Sequence, residues 1–277
     1  MVHFLFIRHG ETQDNLKKLW AGSKDSPLSN HGVRQAEALA AEMSKLNLSA
    51  IHSSDLRRAK TTAQIICKAQ SNTDLVVQES PLFREQNFGG AEGRPIVTKN
   101  KNWTMPQHYA KGKFPAIYSR KHHFPGGESL DAVAERAKQA LDEILMPYVH
   151  ETVPAGSPHN AVAVVSHGVF IAELLGIMLN NHSLAVKDFR GMKNTGWTEV
   201  EVLPALQTAE TEDATVPRPL NVKLLAINRH SHLSNLHRQK GIGSMAYDPT
   251  QKDIRSFFVD KSAAGDSRER RSASTSS

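Results

Sequence analysis

The chain alternates short, continuously apolar runs with longer stretches in which apolar residues recur every three or four positions. "VHFLFI" (2–7), "LSAIHSS" (48–54), "DLVVQES" (74–80) and "NAVAVVSHG" (160–168) read as strands. "WTEVEVL" (197–203) and "PLNVKLLAIN" (219–228) read as the last two. A helical period predicts a helix over 30–46, with Val33, Ala36, Leu39, Ala40 and Met43 on one face. Further helices are expected over 55–70, opening on Asp55 as the capping residue, and over 128–149. "VFIAELLGIML" continues the strand at 160–168 as an apolar helix. Strands apolar on both faces and separated by helices predict an α/β fold. Its expected form is a three-layer α/β/α sandwich around a mostly parallel central sheet.

Ligands of such sheets bind beyond the carboxyl ends of the strands. Two strands here end in histidine, at Ile7-Arg8-His9 and Val165-Ser166-His167, and the strand ending at Ser53-Ser54 leads into Arg57 and Arg58. After Asn228 the composition turns to Ser, Arg, Gly and His. The expected organisation is therefore a domain over 1–228 and a mostly flexible basic tail over 229–277.

Charge adds a feature to this outline. The net charge is +6, and between 94 and 127 seven basic residues (Arg94, Lys99, Lys101, Lys111, Lys113, Arg120, Lys121) meet no Asp or Glu. A basic insertion over 94–124 would favour an anionic small molecule. Nucleic acid is not expected, because the basic stretches carry few aromatics beyond Trp103, Tyr109 and Tyr118 and no reader motif. No run approaches the roughly 18 apolar residues of a membrane helix, and no signal peptide precedes the first strand. One cysteine, Cys67, excludes an internal disulfide and fits a reducing, cytoplasmic setting, with the nucleus as a second address. Cys67 lacks the following arginine of a cysteine-dependent phosphatase. The adjacent His122 and His123 show no metal-ligand spacing, so neither metal nor other cofactor is expected.

Arg-His-Gly alone is a weak signal, since a lone strand-end histidine is more often structural. Here six motifs follow in order: "RHGETQDN", "PLSNHGVRQAEAL", "IHSSDLRRAKTTA", "LFREQNFGGAEG", "FPGGESLDAVAER" and "VVSHG". Over roughly residues 2–228 the chain resembles the histidine phosphatase superfamily, the phosphoglycerate mutase-like fold. The resemblance implies that His9 is a nucleophile forming a phosphohistidine, and a neutral imidazole has the required reactivity. Arg8 and Arg58 would hold phosphate oxygens with their planar forks, and His167 would donate to another oxygen. Asn15 matches the position whose amide reaches the phosphate, and Thr12 is expected beside it as a further substrate-binding residue. Gly10 would let the backbone turn tightly next to the anion. Glu85 matches the acid/base that protonates the leaving group and then deprotonates water. Glu92 is expected to be structural, Glu11 supporting, and Arg57 a solvated helix residue.

"FPGGESLDAVAER", "NTGWTEVEV" and "LLAINRHSHLSNL" look most like the phosphatase group around TIGAR and the fructose-2,6-bisphosphatases. A phosphatase is therefore preferred to a phosphoglycerate-mutase-type phosphotransferase. The basic insertion points to a small phosphate ester, such as a sugar bisphosphate. In the tail, Gln251, Ile254, Phe257 and Phe258 match Q-x-x-I-x-x-F-F, the pattern by which proteins dock on the sliding clamp PCNA. The competing expectation is that the same apolar plug folds back on the domain. A protein acting through this tail, with an inert domain, is the alternative to an enzyme.

Overall fold

The computed structural model describes residues 1–117, 119–150, 160–180, 191–203, 220–248 and 250. Its centre is a six-stranded sheet in the order β3-β2-β6-β1-β7-β8. The strands are β1 (Val2–Arg8), β2 (Leu48–Ser54), β3 (Val77–Ser80), β6 (Asn160–Ser166), β7 (Trp197–Leu203) and β8 (Asn221–Arg229). The first four are mutually parallel; β7 and β8 close one side antiparallel. A small second sheet pairs β4 (Ile96–Val97) with β5 (Phe114–Pro115).

Successive strand residues point to opposite faces, so β1 feeds two cores at once. Phe4 and Phe6 face α5 (Leu130–Ala140) and α7 (Gly168–Met178), where Val133, Ala137, Phe170 and Leu174 pack. Leu5 and Ile7 face α2 (Asn30–Met43) and α3 (Arg57–Lys68), meeting Leu39, Met43, Ala59 and Ile66. This is the expected three-layer α/β/α sandwich. A third cluster, Ala91, Phe114 and Phe124 backed by Trp20, Phe88 and Tyr109, gives the 94–124 insertion an apolar floor. Among the described residues no helix is long and apolar enough to cross a membrane.

Four expectations change. Asp55 does not cap α3: the cap is Leu56, without a side-chain bond, while Asp55 accepts two hydrogen bonds from Arg84, at 2.7 and 2.5 Å. β3 shortens to Val77–Ser80, because among the described residues it pairs only with the end of β2, Ile51–Ser54. The long helix expected over 128–149 starts at Leu130 on a Ser129 cap. It widens into a π turn at Leu141–Leu145, then resumes as α6 (Met146–His150).

The last change concerns the domain end. Residues Met1–Tyr247 form one compact unit, and a second begins at Asp248. The boundary expected at 228 is too early, since residues 229–247 are tied down by backbone bonds. Asn30 N–H donates to the Met245 carbonyl (2.9 Å), and Tyr247 N–H to that of Leu28 (2.8 Å). Few apolar side chains are needed when main-chain groups make the contacts. The motif at 251–258 lies outside the described residues.

Candidate active site

The carboxyl ends of β1, β2 and β6 lie side by side, and each delivers one part of a site. His9 follows β1, and its N–H donates to the Ser166 carbonyl of β6 (3.0 Å). His167 follows Ser166 and opens α7. Arg58 sits in the first turn of α3, just past β2. The two imidazoles face each other with ring centroids 5.1 Å apart. His9, Arg58 and His167 are all buried, Arg58 being 1% exposed and His167 0%.

Their hydrogen bonds fix which atoms remain free. His9 Nδ1 lies 2.6 Å from the Gly10 carbonyl. A carbonyl can only accept, so Nδ1 carries the proton and Nε2 is left with its lone pair. His167 is arranged oppositely. Its Nδ1 accepts from Arg58 Nε (3.2 Å), so its proton is on Nε2, and that N–H is buried without a partner among the described residues. Burial, first, and the Arg58 and Arg8 charges, second, hold the His9 pKa well below the usual histidine value. Burial, Arg58 and then His9 do the same to His167. Both rings are neutral at physiological pH.

The guanidinium groups are clamped by backbone carbonyls. Arg58 donates to Gly22 (2.6 Å) and Lys24 (2.8 Å); Arg8 donates to Met192 (2.5 Å), and its Nε is buried with no partner among the described residues. Burial lowers both arginine pKa values and the Glu85 charge opposes it. The Glu85 carboxylate lies at the same end of α7 as His167. It accepts from the Val169 and Phe170 N–H groups, at 3.2 Å each, in the first turn of α7, where the helix dipole favours an anion. Arg136, itself bound to Glu128, supports this loop by donating to the Glu85 carbonyl (3.3 Å).

Thr12 and Asn15 form the capping box of α1 (Gln13–Leu16). Asn15 Oδ1 accepts from Thr12 N–H (3.1 Å) and from Asn194 (3.3 Å). Thr12 is fully buried as a cap, so its side chain organises the loop. Gly10 is required for closeness rather than for a positive φ: a Cβ there would meet the Gly32 carbonyl oxygen at 2.6 Å. Glu92 accepts from Ser23 and Phe88 N–H groups, and so braces the turn carrying Gly22. Glu11 is held by Ser29 and Arg238. Arg57 is exposed.

The sequence did not disclose the backbone clamps, nor Asn194 and Thr195. Asn194 Nδ2 donates to the His9 carbonyl (3.0 Å), and Thr195 N–H donates to the Arg8 carbonyl (2.9 Å). Nor is the basic insertion uncompensated: Arg120 is paired with Asp131 (2.8 Å) and with the fully buried Glu173 of α7 (2.8 Å). Glu173 sits in an apolar helix, and nothing in that pattern identifies its partner. Among the described residues no group of three or more His, Cys, Asp or Glu side chains is placed to hold a metal ion.

Comparison with known proteins gives a consistent picture. The family model described as the histidine phosphatase superfamily (branch 1) matches residues 4–211. A protein of Proteus mirabilis named "Probable phosphoglycerate mutase" is 31% identical over 201 residues, 73% of this chain and 85% of the relative. A Yersinia pestis protein of the same name is 32% identical over the same shares. The native structure of a mycobacterial glucosyl-3-phosphoglycerate phosphatase aligns with a TM-score of 0.62 and 27% identity, covering 82% of this chain and 99% of that one.

Proposed function

Because the chain belongs to the histidine phosphatase superfamily, we propose that it is a histidine-dependent phosphatase, a metal-free phosphoric monoester hydrolase working through a phosphohistidine at His9. The observation that carries this reading is the His9 ring: Nδ1–H is tied to the Gly10 carbonyl, so Nε2 is a neutral nucleophile beside two fixed guanidinium groups.

A phosphate monoester brings about two negative charges, and its transfer needs positioning and charge stabilisation above all. Arg8 and Arg58 take the oxygens, and the unpartnered Nε2–H of His167 donates to another. His9 Nε2 forms the P–N bond as the ester P–O bond breaks, while Glu85, acting in this step in its acid form, gives its proton to the departing alkoxide. Water then attacks phosphorus, its proton returns to Glu85, and the P–N bond breaks to release inorganic phosphate. Trapping with radiolabelled ester tests this: the wild type yields acid-labile label, and His9→Ala none. Label retained by His9→Ala overturns the assignment.

We further propose that the substrate is a small ester with a second anionic group, of the kind cleaved by the fructose-2,6-bisphosphatase-like group. With Arg120 paired, the exposed cations Arg94, Lys99, Lys101, Lys111, Lys113 and Lys121 support it. Glucosyl-3-phosphoglycerate, named for the mycobacterial phosphatase, is such an ester. A mutase reading is favoured by the names of the curated relatives. It requires the phosphoryl group to pass to a second substrate oxygen, so release of free phosphate in proportion to ester consumed selects hydrolysis. Clamp docking through Gln251, Ile254, Phe257 and Phe258 stays a separate proposal; equal recovery of PCNA by the wild type and by Phe257→Ala/Phe258→Ala refutes it.

A further inference from the structure

Glu11 and Thr195 flank the His9 turn, and both are held by the same distant segment. Glu11 is a buried carboxylate, 7% exposed. Ser29 Oγ donates to it (2.8 Å), and Arg238 adds a two-pronged ion pair, with Nη1 on Oε1 at 2.8 Å and Nη2 on Oε2. A carboxylate taken out of water demands such a partner. On the other side Thr195 has φ +57°, unusual for a β-branched residue and a mark of strain held by its surroundings. Its N–H is shared between the Arg8 and His9 carbonyls. Its Oγ1 lies 2.9 Å from Nε2 of His232, whose Nδ1 is 3.6 Å from Glu42 of α2.

The backbone joins the same parts. Thr12 bridges Leu28, and Ser29 bridges Ala246, so residues 28–29 lie between the catalytic turn and the segment. The room is minimal: a Cβ on Gly32 would stand 2.1 Å from the Glu11 carbonyl oxygen. None of residues 231–247 falls within the 4–211 family match.

We propose that residues 231–247 are a positioning strap for His9, with Arg238 and His232 as its two anchors. The strap acts on the backbone of residues 9–11. Arg58, by contrast, is clamped by Gly22 and Lys24, and the Arg8 side chain by Met192, none of them in the strap. Loosening the strap therefore misaligns the nucleophile while the phosphate grip survives, which separates kcat from KM.

The inference rests on the phosphatase reading, and the test keeps the two apart. With para-nitrophenyl phosphate, Arg238→Met is expected to lower kcat about 10- to 100-fold, with KM and the inhibition constant of inorganic phosphate nearly unchanged. A kcat within twofold of wild type, or a loss confined to KM, overturns the strap. Should Arg238→Met fail to fold, Glu11→Gln/Arg238→Met, which leaves no unpaired buried charge, takes its place, and the same kcat and KM outcomes support or overturn the strap. A wild-type chain that turns over no phosphate ester refutes the phosphatase reading instead. The strap is then read from amide exchange at Gly10 and Glu11: faster exchange in Arg238→Met supports it, and unchanged exchange overturns it.

Discussion

Replacing His167 by Asn removes one hydrogen-bond donor and little else from the site. An asparagine oxygen occupies the place of Nδ1, so it continues to accept from Arg58 Nε, now 3.2 Å away. Nothing replaces Nε2, whose N–H is fully buried without a partner among the described residues. Such a donor costs free energy in the empty site and is repaired by an oxygen of the ligand. A hydrogen bond to a charged oxygen contributes about 1.5–3 kcal/mol. Deleting a preorganised donor to a developing charge typically costs about 2.7–4 kcal/mol, or roughly 10²–10³ in rate. We expect the lower half of that range, because the two arginines carry most of the charge. The assay is rapid-quench formation of the phosphoenzyme, with the thermal midpoint as the control for folding. His167→Gln is the complement, reaching toward Nε2 but losing the acceptor for Arg58. A phosphoenzyme rate in His167→Asn within about fivefold of wild type refutes the donor role.

Acid should destabilise the fold through its buried histidines. His52 has its pKa lowered by burial from 6.5 to about 4, so between those values the unfolded chain binds a proton that the folded chain refuses. Stability is therefore full above about pH 6.5 and falls as the pH drops toward 4, by about 3 kcal/mol over the whole window at 1.36 kcal/mol per unit. His9 and His167 push in the same direction. Urea unfolding at pH 7.5 and pH 5 should show a smaller difference in His52→Gln by roughly 2 kcal/mol; an unchanged difference contradicts the assignment. Gly32→Ala should force α2 off the Glu11 carbonyl, costing about 1–3 kcal/mol in a melting experiment and lowering kcat. A variant as stable and active as wild type shows that the turn yields freely.

The side chains proposed to face the phosphate were legible because they belong to local motifs at strand ends, where sequence and space coincide. Arg8 and His9 are adjacent, Arg58 lies four residues past the end of β2, and His167 follows β6 directly. What orients them was not legible, since a backbone carbonyl has no sequence signature. Gly22, Lys24 and Met192 hold the arginines through atoms that every residue possesses. Arg120 reads as a free positive charge in the sequence, whereas in the fold the buried Glu173 pairs with it at 2.8 Å. The segment 231–247 read as tail because its attachment uses main-chain bonds and charged side chains rather than an apolar stripe. Asp55 had the chemistry of a cap, and Arg84 competed successfully for its carboxylate.

The division of labour between arginine and histidine follows from burial. A site built for a dianion, as proposed, needs positive charge, and four of its side chains, Arg8, Arg58, His9 and His167, can carry one. Desolvation penalises every one of these cations, but guanidinium starts as a far weaker acid than imidazolium and stays charged after a large loss, whereas imidazole, starting from 6.5, does not. The arginines then repel any proton from the rings beside them, which reinforces the outcome. The same burial that concentrates charge on Arg8 and Arg58 thus leaves His9 Nε2 unprotonated and able to attack. A lysine at position 58 would preserve the charge, but it would surrender the planar fork that reaches His167, Gly22 and Lys24 at once. Arginine lets one group fix the tautomer of its neighbour, keep both histidines neutral and, in the proposed reaction, bind phosphate.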